Sequence, residues 1–164
     1  MHIRALLSLF VVALALGACG AAPNGQPAGS ASITVTEAWT RPAGQGDGQE
    51  RPASAVLMPV GGTMSAFMTI RNGGGAADRL IGVESDAAKF AMLHHFVESH
   101  GAQEMAPVDA IEVPAQGDLA LKPGGFHVML VSLTRDLNTG DTIDLKLRFA
   151  QAGLVTVRTE VRAK

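Results

Sequence analysis

Beyond Thr63 the chain breaks into short runs that alternate apolar and polar residues, and each run is stopped by a turn signal. TMSAFMTI (63–70) leads into RNGGGAAD, RLIGVES (79–85) follows, and KFAMLHHFVE (89–98) runs to SHGA before QEMAPV (103–108) returns. AIEVPAQGD precedes LALKPGG and HVMLVSL (127–133), and QAG separates TIDLKLRFA (142–150) from LVTVRTEVRA (154–163). A period of two puts alternate side chains on opposite faces of a strand, and no run sustains the 3.6 period of a helix. Strands at this spacing predict an antiparallel sandwich or barrel rather than βαβ units. Nineteen glycines, eight prolines and the absence of tyrosine fit a turn-rich β protein. Upstream, SITVTEAW (32–39) alternates as a first strand, and residues 41–59 read as a long loop. The one helical feature expected is a short turn over residues 86–90.

The beginning of the chain has a different character. A short basic start with His2 and Arg4 precedes ALLSLFVVALALGA (5–18), an apolar core of signal-peptide length that falls short of the roughly 20 residues a spanning helix needs. It ends in Leu16-Gly17-Ala18-Cys19, the pattern of a bacterial lipobox, with Cys19 as the lipidated first residue of the mature chain. Residues 1–18 are thus expected to be a signal peptide. Residues 19–32, small and rich in Pro and Gly, are expected to be a lipidated tether, with a single domain over residues 33–164. Export and a lipid anchor place that domain in the periplasm at a membrane. Since Cys19 is the only cysteine, the domain has no disulfide, and a soft metal site in it must be built without thiolate.

With 13 Lys and Arg against 15 Asp and Glu, and no basic cluster, no nucleic-acid surface is expected. There is no Gly-x-Ser-x-Gly elbow, no nucleophilic cysteine in the domain and no readable carboxylate dyad, so an enzyme is not expected either.

The chemistry lies in histidine and methionine. His127 and Met129 stand at i and i+2 of one strand, so both project from the same face. Alone, the pair reads as well as a core methionine beside a hydrogen-bonded histidine. A partner stretch changes the weighing. If AMLHHFVESHGAQEM (91–105) folds back through a four-residue loop at 98–101, His94 faces Met105 directly, with Cβ atoms about 4.5–5.5 Å apart. Strand alternation then sends His95 to the opposite face, where it is expected at the surface or edge beside Glu104, and His100 falls in the loop. Either could serve as a weaker peripheral ligand. Thioether and neutral imidazole together suit Cu(I), with Cu(II) the second state such a set admits, and suit Mg²⁺, Ca²⁺ or Mn²⁺ poorly. Zinc favours Cys, His and carboxylate, a blue-copper site wants a thiolate, and c-type haem wants C-x-x-C-H.

The spacing His94-x10-Met105-x21-His127-x-Met129 resembles the motif of the periplasmic copper chaperones known as PCuAC. AWTRPA (38–43), TIRNGG (69–74), DRLIGVES (78–85), IEVPAQG (111–117) and LKPGGFHVML (121–130) resemble family segments in order, so the likeness covers most of residues 33–161. It implies a cupredoxin-like antiparallel β-sandwich of Greek-key type, with copper held by His94, Met105, His127 and Met129. It also implies delivery in the periplasm to copper-acceptor proteins, notably the copper-centre subunit of cytochrome c oxidase or its assembly factors. The alternative is a copper-sequestering or resistance lipoprotein with no dedicated acceptor. Two departures stand out: residues 44–62 are longer than usual, and His95 replaces a Glu common after the first ligand.

The remaining candidates read as ordinary structure. Met64 and Met68 are expected in the core, Met58 in the loop, and Met92 as packing beside the metal rather than a ligand. Trp39 is expected to fill the core, and Asp78, Glu84 and Asp86 to be turn and surface carboxylates.

Overall fold

The structure, a computed structural model, describes residues 29–42, 60–99 and 102–163. The expected signal peptide, Cys19, most of the tether, most of the loop 44–62 and His100 lie outside the described residues. The described chain is all β. Its strands are β1 (Ile33–Pro42), β2 (Thr63–Asn72), β3 (Asp78–Ser85), β4 (Ala88–Ser99), β5 (Ala102–Pro107), β6 (Ile111–Val113), β7 (Gly117–Leu121), β8 (His127–Leu133), β9 (Thr142–Phe149) and β10 (Gly153–Val161). The helical turn expected at 86–90 is instead a tight β3–β4 connection. Ala87 is buried there, and Thr134 ties it down by donating its N–H to the Ala87 carbonyl and its Oγ1–H to the Asp86 carbonyl.

The strands form one hydrogen-bonded path in the order β5-β4-β8-β2-β1-β10-β9-β3-β6, with β7 also paired to β2. Every pairing is antiparallel except that of β1 with β10, which makes the sheet mixed. β1 makes this join by a bulge: its register with β2 slips between Thr36 and Trp39, where Glu37 takes a φ of 53°. A bulge bends its strand and sharpens the twist, so β1 can serve both halves of the path. The two halves close over one core. Met64, Met68 and Ile70 of β2 and Leu130 of β8 belong to the same buried cluster as Leu145, Leu147 and Phe149 of β9.

Burial patterns show which strands are covered on both sides. β9 alternates, with Ile143, Leu145, Leu147 and Phe149 buried and Lys146 and Arg148 exposed, as in a strand with one wet face. β2 does not alternate. Met64, Ala66, Met68 and Ile70 face the core, while Ser65 and Phe67 between them are buried as well, on the outer face of the sheet. That second layer is where the chemistry collects.

At the far end of the sheet the β2–β3 turn is held by side chains. Asn72 is fully buried and uses both ends of its amide: Oδ1 accepts from the N–H groups of Ser32 and Gly74, each at 3.0 Å, and Nδ2 donates to the carbonyls of Ala76 (2.8 Å) and Val113 (3.5 Å). A Cβ at Gly74 would collide with the Ser30 carbonyl, so glycine is required where the segment entering β1 crosses the turn. Asp78, expected among turn and surface carboxylates, is 2% exposed. It accepts from the backbone N–H of Arg79 (2.7 Å), Gln151 (2.9 Å) and Ala152 (2.9 Å), and so holds the β9–β10 turn against β3.

Candidate metal centre

Two strands adjacent in the sheet but distant in the chain build the centre. β4 pairs antiparallel with β8, setting His94 directly opposite His127 and Met92 directly opposite Met129. On β8, Val128 and Leu130 enter the core, so His127 and Met129 project outward; on β4, Leu93 enters the core and Met92 and His94 project outward. The His94 and His127 rings meet edge to face, with centroids 5.8 Å apart.

His127 is 1% exposed. The turn KPGG before β8 sets its orientation. Gly125 donates its N–H to the Lys122 carbonyl, and the Gly125 carbonyl lies 3.0 Å from His127 Nδ1. A carbonyl can only accept, so Nδ1 carries the proton in the neutral ring and Nε2 presents a lone pair. That Nε2 is buried without a hydrogen-bond partner, and so is His94 Nδ1. An unpartnered buried polar group costs about 1–3 kcal/mol, so two on facing residues call for an explanation. Two imidazoles that each keep one nitrogen without a hydrogen bond have the donor chemistry of a metal site, and the hydrogen bond fixing the ring of His127 through its other nitrogen is the usual arrangement of a ligating histidine.

Burial, and then the charge of His127, hold the His94 imidazole below its ordinary pKa of 6.5. Both effects favour the neutral ring, the form that binds a metal. Among the described residues no group of three His, Cys, Asp or Glu could hold an ion. The side chains set beside the two imidazoles on the same face of β4 and β8 are the thioethers of Met92 and Met129, donors that suit a soft ion.

Aromatic rings wall the pair. Phe96 lies 5.3 Å and Phe67 6.3 Å from the His127 ring, centroid to centroid. Trp39, expected in the sandwich core, stands on the outer face instead, 4.7 Å from Phe67. The guanidinium of Arg41 lies 5.9 Å from the Trp39 ring and 5.3 Å from Phe67, and that of Arg162 is 6.0 Å from Trp39. The β1 bulge accounts for the difference, because it re-aims the strand just before Trp39.

The methionines take different positions. Met64 and Met68 are core residues, as expected. Met129 is half-buried beside the histidines. Met105 does not face His94. The β4–β5 hairpin pairs as far as Ser99 with Ala102, so only residues 100–101 separate the strands, in place of the four-residue loop expected. Met105 then opposes Phe96, and His94 opposes Pro107. The slip is by two residues, which preserves parity, so Met105 stays on the face of His94 but becomes its diagonal neighbour. It is 44% exposed.

His95 opposes Ala106 rather than Glu104, and its ring stacks on Phe126 at 4.1 Å. Phe126 packs against the core, so His95 is half-buried on the inner side of the sheet. The walls Phe67 and Phe96 and the orienting Gly125 carbonyl are functional features the sequence reading missed. The second glycine of KPGGFH was their one legible trace.

Comparisons with known proteins bear on the family and the fold. The LpqE-like family model matches residues 33–161. A protein of Leifsonia xyli subsp. xyli named "Putative lipoprotein Lxx21020" is 31% identical over 158 residues, covering 96% of this chain and 84% of that one. Among solved structures, the copper-bound PCuAC domain from PmoF2 is similar with a TM-score of 0.57 and 27% identity, over 80% of this chain and 93% of that one. Apo-DR1885 from Deinococcus radiodurans is similar with a TM-score of 0.50 and 25% identity, over 94% of this chain and 96% of that one.

Proposed function

Since the chain belongs to the LpqE-like family, a PCuAC-type family with the cupredoxin-like fold of copper chaperones, we propose that it is an exported metallochaperone that carries Cu(I) and releases it to copper-centre proteins such as cytochrome c oxidase. His94 and His127 are the nitrogen donors in this reading, and Met129 and Met105 supply thioethers. The observation that carries it is the facing pair of imidazoles whose His94 Nδ1 and His127 Nε2 are buried and unpartnered. Neutral donors leave the charge of the ion uncompensated, and the exposed side of the centre lets an acceptor's ligands replace its own one at a time. That is ligand exchange, and it needs no acid–base catalysis. Residues 1–18 direct export and Cys19 takes the lipid, which holds the domain in the periplasm at a membrane.

Titration against a Cu(I) chelator tests the binding. His94→Ala and His127→Ala should each weaken Cu(I) strongly, and wild-type affinity in both variants would refute the site. The fluorescence of Trp39, the only tryptophan, offers a second readout, since its ring is one aromatic contact away from His127 through Phe67. Incubating the loaded protein with an apo copper-centre domain tests delivery. A chaperone gives up its metal, whereas a sequestering lipoprotein keeps it. Cys19→Ser should release the protein from membranes; retention there would refute the anchor.

A further inference from the structure

We propose that Met92 is a Cu(I) ligand of this chain. The inference rests on the copper-binding reading above and adds a donor to that site. The ladder carries it. Met92 directly opposes Met129 two rungs, one same-face step, from the point where His94 directly opposes His127. All four project from the outer face, so two thioethers and two imidazoles stand at the corners of one square on adjacent strands. Directly opposed Cβ atoms are about 4.5–5.5 Å apart, within reach of a shared ion for side chains as long as these.

Met105 occupies a different place. It lies on β5 at the rung of Phe96, whereas Met129 lies on β8 at the rung of Met92. Two strand spacings and four residues separate them, roughly 16 Å between Cα atoms on a flat ladder. Both sulfurs can meet one ion only if the hairpin curls over the sheet. Met92 needs no such movement. It is 38% exposed, which leaves its flexible side chain free to turn onto the histidine pair. Met92, Met129, His94 and His127 would hold the ion at the sheet, with Met105 adding its thioether from the hairpin side.

Cu(I) is diamagnetic, so the methyl resonances of ¹³C-methyl-methionine-labelled mature protein can be followed as one equivalent is added, with assignment by Met92→Leu, Met105→Leu and Met129→Leu. The Met92 methyl should shift in step with that of Met129, and Met92→Leu should lower Cu(I) affinity at least about tenfold. If the Met105 and Met129 methyls move while Met92 stays still, the inference is overturned and the copper site survives. If no methionine methyl moves on adding Cu(I), the thioether site falls with it.

Discussion

The two ends of this sheet bury polar side chains in opposite ways. At one end Asn72 and Asp78 have every polar group occupied: four hydrogen bonds on the amide and three backbone N–H groups on the carboxylate. At the other end His94 and His127 each keep one buried ring nitrogen with nothing to bind. The satisfied pair pins turns that are far apart in sequence, joining β2 to β3 and β9 to β10. The unsatisfied pair makes one hydrogen bond, from His127 Nδ1 to the Gly125 carbonyl two residues away, and joins no distant turns. A buried polar group whose valences are filled from within serves the fold, and the proposed copper site stands where two are left open at a defined point.

The sharpest way to break this comparison is to remove Asp78. Asp78→Ala loses three hydrogen bonds to a charged acceptor and should cost about 4 kcal/mol in urea denaturation. Cu(I) affinity of the folded fraction should change by no more than about twofold. A copper defect as large as that of the histidine variants would show that the two ends are not separable.

His127→Phe probes the opposite end. It should lower Cu(I) affinity about 100-fold or more, or about 2.7 kcal/mol. The same substitution removes an orphaned nitrogen, so apo-protein stability should stay within about 1 kcal/mol of the original. A large loss of apo stability would mean that the imidazole serves the fold after all.

How far these regions could be read from sequence follows from the range of the interactions involved. Alternation alone put His127 and Met129 on one face, because parity is local to each strand, whereas setting Met105 on the face of His94 also took a hairpin register. Register is not local: SHGA accommodates hairpins of two lengths, and the shorter one moved Met105 from a direct to a diagonal neighbour of His94. The adjacency of β4 and β8, which makes the histidine pair, depends on strand order that no motif states. Asp78 looked like a surface carboxylate because its partners Gln151 and Ala152 lie more than seventy residues away. Trp39 looked like core because a bulge at Glu37 leaves no periodic signature.

A smaller effect is expected from pH. Because burial and then His127 depress the pKa of His94, its ring is mainly neutral at pH 6.5, where an ordinary histidine is half protonated. Proton competition for Cu(I) at this position should therefore set in at lower pH than at an ordinary histidine. The linked stability has the matching sign. As pH falls through 6.5 the unfolded chain takes up a proton that the folded chain refuses, so this residue's contribution declines toward acid and is fully present above 6.5. An NMR titration of the His94 ring and urea midpoints across pH 5–8 check both, and a His94 ring half protonated at or above pH 6.5 would contradict the shift.

The smallest expected change separates the two faces of β4 itself. His95 adjoins His94 in sequence, yet its ring stacks on Phe126, on the inner side of the sheet. His95→Ala removes one aromatic contact and should cost about 0.5–1.5 kcal/mol. Cu(I) affinity should remain within about twofold, because a strand turns consecutive side chains to opposite faces and His95 cannot reach the His94–His127 pair. A strong copper defect in this variant would mean that β4 is out of the register drawn for it, and the pairing of His94 with His127 would fall with it.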